Sequence, residues 1–106
     1  MSGPADPAVN HLALSGVVAE LKALRHTPAG VPVIEFRLRH ASERAEAGAT
    51  RRVEAEIDAV AFESQARLLA GAAGKSLKAE GFLCARSRRS TKPVLHVTNI
   101  EFTEGK

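Results

Sequence analysis

No tryptophan and no tyrosine occur in this chain of 106 residues, and only four phenylalanines, so large aromatic platforms are scarce. Cysteine occurs once, at Cys84, which rules out an intrachain disulfide and agrees with a reducing compartment. No apolar run approaches the roughly 20 residues that span a bilayer. The start, "MSGPADPAVN", has neither the basic n-region nor the apolar h-region of a signal peptide. The expected location is the cytoplasm, with no membrane contact. A length of 106 residues suits one domain with a modest core, and 44% hydrophobic with 25% charged residues is ordinary globular composition.

Catalytic and metal chemistry are equally sparse. His11, His26, His40 and His96 are scattered, and none takes a zinc-site spacing with Cys84. There is no G-x-S-x-G, no P-loop and no G-x-G-x-x-G. Glu54, Glu56 and Asp58 alternate along one strand face beside Arg51 and Arg52, the usual dress of a solvated sheet rather than an acid–base pair. Cys84 shares its face with Lys78 and Arg86, which favour a thiolate, but a small space-filling residue is the plainer reading. The expectation is a non-enzyme without catalytic residues, metal or cofactor.

What the chain does have is concentrated cationic charge. Its net charge is +3, yet residues 75–92 carry Lys75, Lys78, Arg86, Arg88, Arg89 and Lys92 against Glu80, a local +5 that leaves −2 elsewhere. The stretch "CARSRRSTKPVLH" puts Arg86, Arg88, Arg89 and Lys92 within seven positions. A mildly acidic body with one basic end is the sequence form of an anion-binding site. A well-solvated turn is the alternative.

The hydrophobic pattern is that of short curved strands. Residues 1–9 contain two prolines and a glycine without periodicity and read as a flexible leader; residues 10–103 form the domain. "HLALSGVVAEL" alternates through Leu12 and Leu14, then shifts parity across Gly16 to Val17, Ala19 and Leu21, as at a glycine bulge or bend. "RHTPAG" is turn chemistry. "VPVIEFRLRH" turns Ile34, Phe36 and Leu38 inward, and "RRVEAEIDAV" does so with Val53, Ala55 and Ile57; the polar "ASERAEAGAT" between them reads as a loop. Phe62, Ala66, Leu69 and Ala73 recur at helical spacing. "KSLKAEGFLCAR" and "PVLHVTNIEF" complete five strands, the last with a parity change between Val97 and Ile100. Three strands, a short helix and two strands predict an all-β chain with one helix, an OB-fold built as a five-stranded Greek-key barrel. An SH3-like barrel or a five-stranded sandwich shares the pattern.

OB barrels bind oligonucleotides across their second and third strands, between the first loop and the loop joining the fourth and fifth strands. Those loops are "RHTPAG", which begins with Arg25, and "RSRRSTK". Guanidinium forks suit phosphate oxygens, and each cation replacing a condensed counterion gains entropy. Arg37, Arg39 and Arg52 add cations on the outer strand faces, where Glu35, Glu54 and Glu56 oppose phosphate, so the loop carries most of the attraction. Phe36 points inward, Phe62 begins the helix face and Phe102 closes the last strand. Only Phe82 falls on a polar register, and it either caps the barrel or is exposed for base stacking.

"NHLALSG", "TPAGVPVIEFRLRH", "EGFLCA" and "KPVLHVTNIEF", in this order, resemble the bacterial primosomal replication protein N (PriB) family, related to the single-stranded DNA-binding proteins. The resemblance covers about residues 10–102. It implies a homodimer of OB-folds that binds single-stranded DNA and works with the PriA helicase and other primosome proteins in replication restart. It also implies DNA contacts at Arg86, Arg88, Arg89 and Lys92, in a loop about two residues shorter than the enterobacterial form, and at Phe82. The enterobacterial tryptophan of the third strand corresponds to Glu54, and a second aromatic falls near Ala49. At about 1–3 kcal/mol per lost stack, this departure implies weaker, more salt-dependent binding. The competing reading is an adaptor whose basic loop docks an acidic partner, with weak residual DNA binding. A general genome-coating role is disfavoured because "TEGK" after Phe102 is no Gly-rich acidic tail. A backbone-and-stacking surface has no obligatory 2′-hydroxyl reader, so DNA and RNA remain open.

Overall fold

A computed structural model describes residues 8–103. Of the leader read at residues 1–9, only Ala8 and Val9 fall among them, exposed and without regular structure; residues 1–7 lie outside. The elements are β1 (Leu12–Ala19), β2 (Arg25–His26), β3 (Pro32–Glu46), β4 (Ala49–Phe62), α1 (Glu63–Leu69), β5 (Ser76–Ser87) and β6 (Ser90–Phe102). The sheet runs β1-β5-β6-β4-β3, and β1 pairs with β3 to close it, β2 being a two-residue addition along β3. All pairings are antiparallel except β4 with β6, which run parallel from Asp58↔Val94 to Ala61↔Val97. This is the closed five-stranded barrel of the OB-fold, with the helix between its third and fourth barrel strands.

Closure depends on β1 serving two partners. Leu12–Val17 pair with β5, and Val17–Ala19 pair with β3. At Gly16 a Cβ would lie 2.5 Å from the Arg39 carbonyl oxygen, so the strand crosses β3 there only because no side chain intervenes. The parity shift expected at Gly16 does not occur. Alternation continues to Val18, which is buried, while Val17 is exposed: the glycine permits a close crossing without inserting a residue. His40 pins the same corner, its Nδ1–H donating to the Ser15 carbonyl at 2.7 Å and its Nε2 accepting from the Ser42 hydroxyl at 2.8 Å. Asn10 adds a pseudo-strand, its amide donating to the Leu83 carbonyl and accepting from the Leu83 N–H.

Ile34, Phe36, Leu38, Leu77, Ala79 and Leu95 fill the barrel, and α1 plugs one end with Ala66 and Leu69. The small alanines Ala59, Ala61 and Ala66 let helix and sheet approach closely. The parity change in the last strand is a register shift: Glu80 pairs with Asn99 but Gly81 with Val97, leaving Thr98 as the extra residue.

Several expectations are revised. The polar segment 41–50 is not a loop: β3 and β4 continue through it to a two-residue turn, Ala47 and Gly48, with φ of 54° and 79°. Both central residues with positive φ is the hairpin turn whose twist matches the strands. The helix is shorter than expected, ending at Leu69, and Phe62 precedes it as exposed extended chain. Likewise β5 and β6 run on to Ser87↔Ser90, so "RSRRSTK" is mostly strand with Arg88 and Arg89 at the turn. Both hairpins therefore project from the barrel. The radius of gyration is 15.7 Å, against about 13 Å for a compact chain of this length. Ala55, Leu83 and Ala85, expected inward, are exposed along these arms because there is no barrel interior beneath them.

Candidate nucleic-acid interface

The period-two pattern of β3 and β4 places Arg37 opposite Asp58, and Arg39 opposite Glu56, on the outer sheet face. Arg37 donates from Nε and Nη2 to Asp58 Oδ1 at 3.0 and 2.9 Å and from Nη1 to Glu56 at 3.3 Å. Arg39 Nε donates to Glu56 at 2.8 Å. From the other side, Arg86 Nη2 reaches Asp58 Oδ2 at 2.5 Å and the Lys92 ammonium lies 3.6 Å from the same oxygen. Cations from β3, β5 and β6 thus converge on one carboxylate that is only 11% exposed. The register shift between Ala85 and Ser87 falls on Arg86, re-aiming it across β6. Arg86's hydrogen bond, helped by Arg37 and by the charge of Lys92, holds the Asp58 carboxyl below its usual range against the opposing effect of burial. Arg39, and then Arg37, do the same for Glu56.

Most of the sequence-predicted cations are consequently engaged. Arg25 pairs with Glu35 at 2.7 Å and Arg52 with Glu54 at 2.8 Å, adding to the Arg37, Arg39, Arg86 and Lys92 pairs. Of the sequence-predicted site cations, only Arg88 and Arg89, at the tip of the β5–β6 hairpin, have no ion-pair partner among the described residues. Two of the four expected loop cations, Arg86 and Lys92, are therefore drawn onto Asp58 on the outer sheet face while staying exposed.

A groove of about 350 Å³ runs over this sheet face, walled by Lys22 and Arg25 from the β1–β3 connection, by Glu35, by Arg86, and by Phe62 and His96. It joins the first loop to the β5–β6 hairpin, as the barrel geometry predicts. Beside it, Phe82 on β5 is 41% exposed and stacks on His96 with centroids 5.2 Å apart and planes at 19°. Phe62 stacks on the other side of His96, at 6.1 Å and 30°, and is 39% exposed. Phe82 is thus exposed, not a barrel cap. Arg52 and Glu54 lie apart, on the β3–β4 arm beside a second cavity of about 470 Å³.

Sequence reasoning missed Phe62, His96 and Asp58. The alternation Asp58, Val60, Phe62 would have put the phenyl ring on the outer face had β4 been run to its end rather than handed to the helix. His96 becomes visible only through the register that sets it opposite both Phe82 and Val60.

The chain matches a family model described as "Another single-strand binding protein family" over residues 10–99. It is 47% identical over 90 residues to the replication restart protein PriB of Bordetella pertussis, covering 84% of each chain. To PriB of Nitrosomonas europaea it is 37% identical over 89 residues, 83% of this chain and 82% of the relative. The solved PriB of Ralstonia solanacearum superposes with a TM-score of 0.78 at 33% identity, covering 92% of this chain and 100% of that one. The single-stranded DNA-binding protein of Thermus aquaticus shares the fold, with a TM-score of 0.72 at 20% identity over 92% of this chain and 52% of that one.

Proposed function

The chain belongs to the PriB family of single-strand binding proteins, and from that premise we propose that it binds single-stranded DNA as a non-enzymatic primosomal accessory in DNA replication restart, acting with a helicase partner. The observation that carries the reading is the groove between Arg25 and Arg86, with stacked rings on its wall and the unpaired Arg88–Arg89 tip beside it. Phosphates follow the cations, Arg88 and Arg89 first, then Arg86, Lys92, Arg25 and Arg37; bases meet Phe82. Arg39 and Arg52 extend the path along the arm. The working unit is a homodimer, for which the projecting hairpins with exposed Leu83 and Ala85 offer surface, and PriA is the helicase. Residues 10–103 form the single folded domain and the protein works in the cytoplasm. No helix among the described residues is long and apolar enough to cross a membrane.

The test is a salt titration of labelled oligo(dT) against duplex and RNA of equal length. Tighter binding to the single strand, weakening as salt rises, is expected. Equal affinity at low and high salt would sink the reading. The pairing of six site cations with carboxylates favours a second reading, an adaptor whose basic tip docks an acidic surface of the helicase while DNA binding is weak. Under it, Arg88→Ala with Arg89→Ala abolishes helicase stimulation and leaves DNA affinity unchanged.

A further inference from the structure

We infer that Phe62 and His96 join Phe82 as one base-stacking strip, so that the protein grips nucleobases at the junction of β4, β5 and β6 rather than on the β3–β4 arm. The inference rests on the single-strand binding reading and deepens it. Its basis is a geometry that no single strand encodes. The β5–β6 register sets Phe82 opposite His96, the parallel β4–β6 register sets Val60 opposite His96, and Phe62 follows two residues later on the same face. The rings stand 5.2 and 6.1 Å apart with planes inclined by 19° and 30°, offset-stacked distances. None of them belongs to the barrel core, and both phenyl rings are about two-fifths exposed.

A single exposed phenylalanine needs no explanation, but three contiguous rings rimmed by Arg25 and Arg86 form an apolar patch set among cations. A flat, neutral π-face carried on a polyanion is the ligand that satisfies both features. Stacking is tolerant of base identity because every base has such a face, so the strip serves a sequence-independent binder. It also supplies rings to a chain that has Glu54, not an aromatic, on the arm.

The experiment compares oligo(dT) with an abasic oligomer of equal length, using wild-type protein, Phe62→Ala, His96→Ala and His96→Phe. A loss of about 5- to 150-fold in oligo(dT) affinity is expected for Phe62→Ala, with abasic binding and the salt slope unchanged. His96→Ala behaves similarly and His96→Phe restores affinity. An oligo(dT) carrying one 2-aminopurine is quenched on binding wild-type protein and less so by Phe62→Ala. Thermal melts confirm that each variant is folded; Phe62→Leu, which keeps apolar volume without the ring, replaces any that is not. If wild-type protein binds oligo(dT) and the abasic chain equally, or Phe62→Ala weakens both alike, the strip is overturned while single-strand binding stands. If wild-type protein binds neither at low salt, the functional reading falls and the strip with it.

Discussion

Gly81→Ala tests the joint on which the aromatic strip and the barrel both depend. An alanine Cβ at Gly81 would sit 1.8 Å from the His96 carbonyl oxygen, 2.8 Å from its carbon and 3.1 Å from Val97 Cα. Ordinary close carbon–oxygen contacts lie near about 3.3 Å, so β5 and β6 must part locally by about 1.5 Å. All three obstacles are backbone atoms in a paired strand, and no rotamer change relieves them. Overpacking of this kind costs about 1–3 kcal/mol, and weakening the adjoining ladder bonds about 0.5–1.5 kcal/mol each. The expected loss is about 2–5 kcal/mol, a large share of the roughly 5–15 kcal/mol that holds a domain together. At about 4–8 °C per kcal/mol, the midpoint of thermal unfolding followed by circular dichroism should fall by about 8 °C or more. Gly48→Ala is the control. Its Cβ meets nothing within 4 Å, so it pays only for a positive φ of 79°, about 1–2 kcal/mol. A Gly81→Ala melt within 2 °C of wild type would refute the close-approach argument.

The remaining predictions concern charge and core. Arg88→Ala with Arg89→Ala should flatten the log–log salt dependence for oligo(dT) by about 1.4, at about 0.7 per single-strand contact, while Arg52→Ala, whose partner is Glu54, changes it by less than half as much. Asp58→Asn should tighten single-strand binding and steepen the slope, because it frees Arg86 and Lys92; a weakened complex in the same fluorescence titration would mean that Asp58 serves to position them. Because the folded Asp58 carboxyl lies below its unfolded value, its contribution to stability is complete above about pH 4 and is lost as pH falls through the folded value. Urea midpoints of wild-type protein should therefore decline below that pH more steeply than those of Asp58→Asn. Leu95→Ala, at a fully buried position in the barrel, should cost about 2–5 kcal/mol by urea titration.

How much of this was legible in the sequence depends on whether the signal is local. Inward Ile34, Phe36 and Leu38 follow from a period of two, and helix placement followed from the spacing of Ala66 and Leu69, because each reads a single element. The arm at residues 41–50 was misread as a loop because its strands leave the barrel. With no core beneath them, neither face needs apolar residues, so the alternation that marks a half-buried strand is absent while the backbone still pairs. The same physics exposes Leu83 and Ala85, which alternate correctly but have nothing to be buried against. Gly16 was recognised as a special position for the wrong reason: it admits the Arg39 carbonyl, and parity is kept.

The site was less legible than the fold because charge counted along the chain is not charge available to a ligand. "CARSRRSTK" presents four cations in sequence, yet Arg86 and Lys92 fall on strands whose outer face looks across β6 to Asp58. A carboxylate on β4 thus engages two of the four in ion pairs, though it is 28 residues from Arg86 in the chain. The pairing is partial where it matters: Arg86 gives Asp58 only Nη2, leaving Nε and Nη1 free to face a phosphate, whereas Arg37 commits three nitrogens to Asp58 and Glu56. Cations around Asp58 still outnumber it three to one, so the cluster remains net positive and ordered before any ligand arrives. On the proposed reading, affinity divides between a charge term at Arg88–Arg89, which salt removes, and a base-stacking term along Phe62, His96 and Phe82, which salt leaves in place. Raising the salt should therefore preserve the discrimination between oligo(dT) and its abasic analogue while lowering the affinity for both.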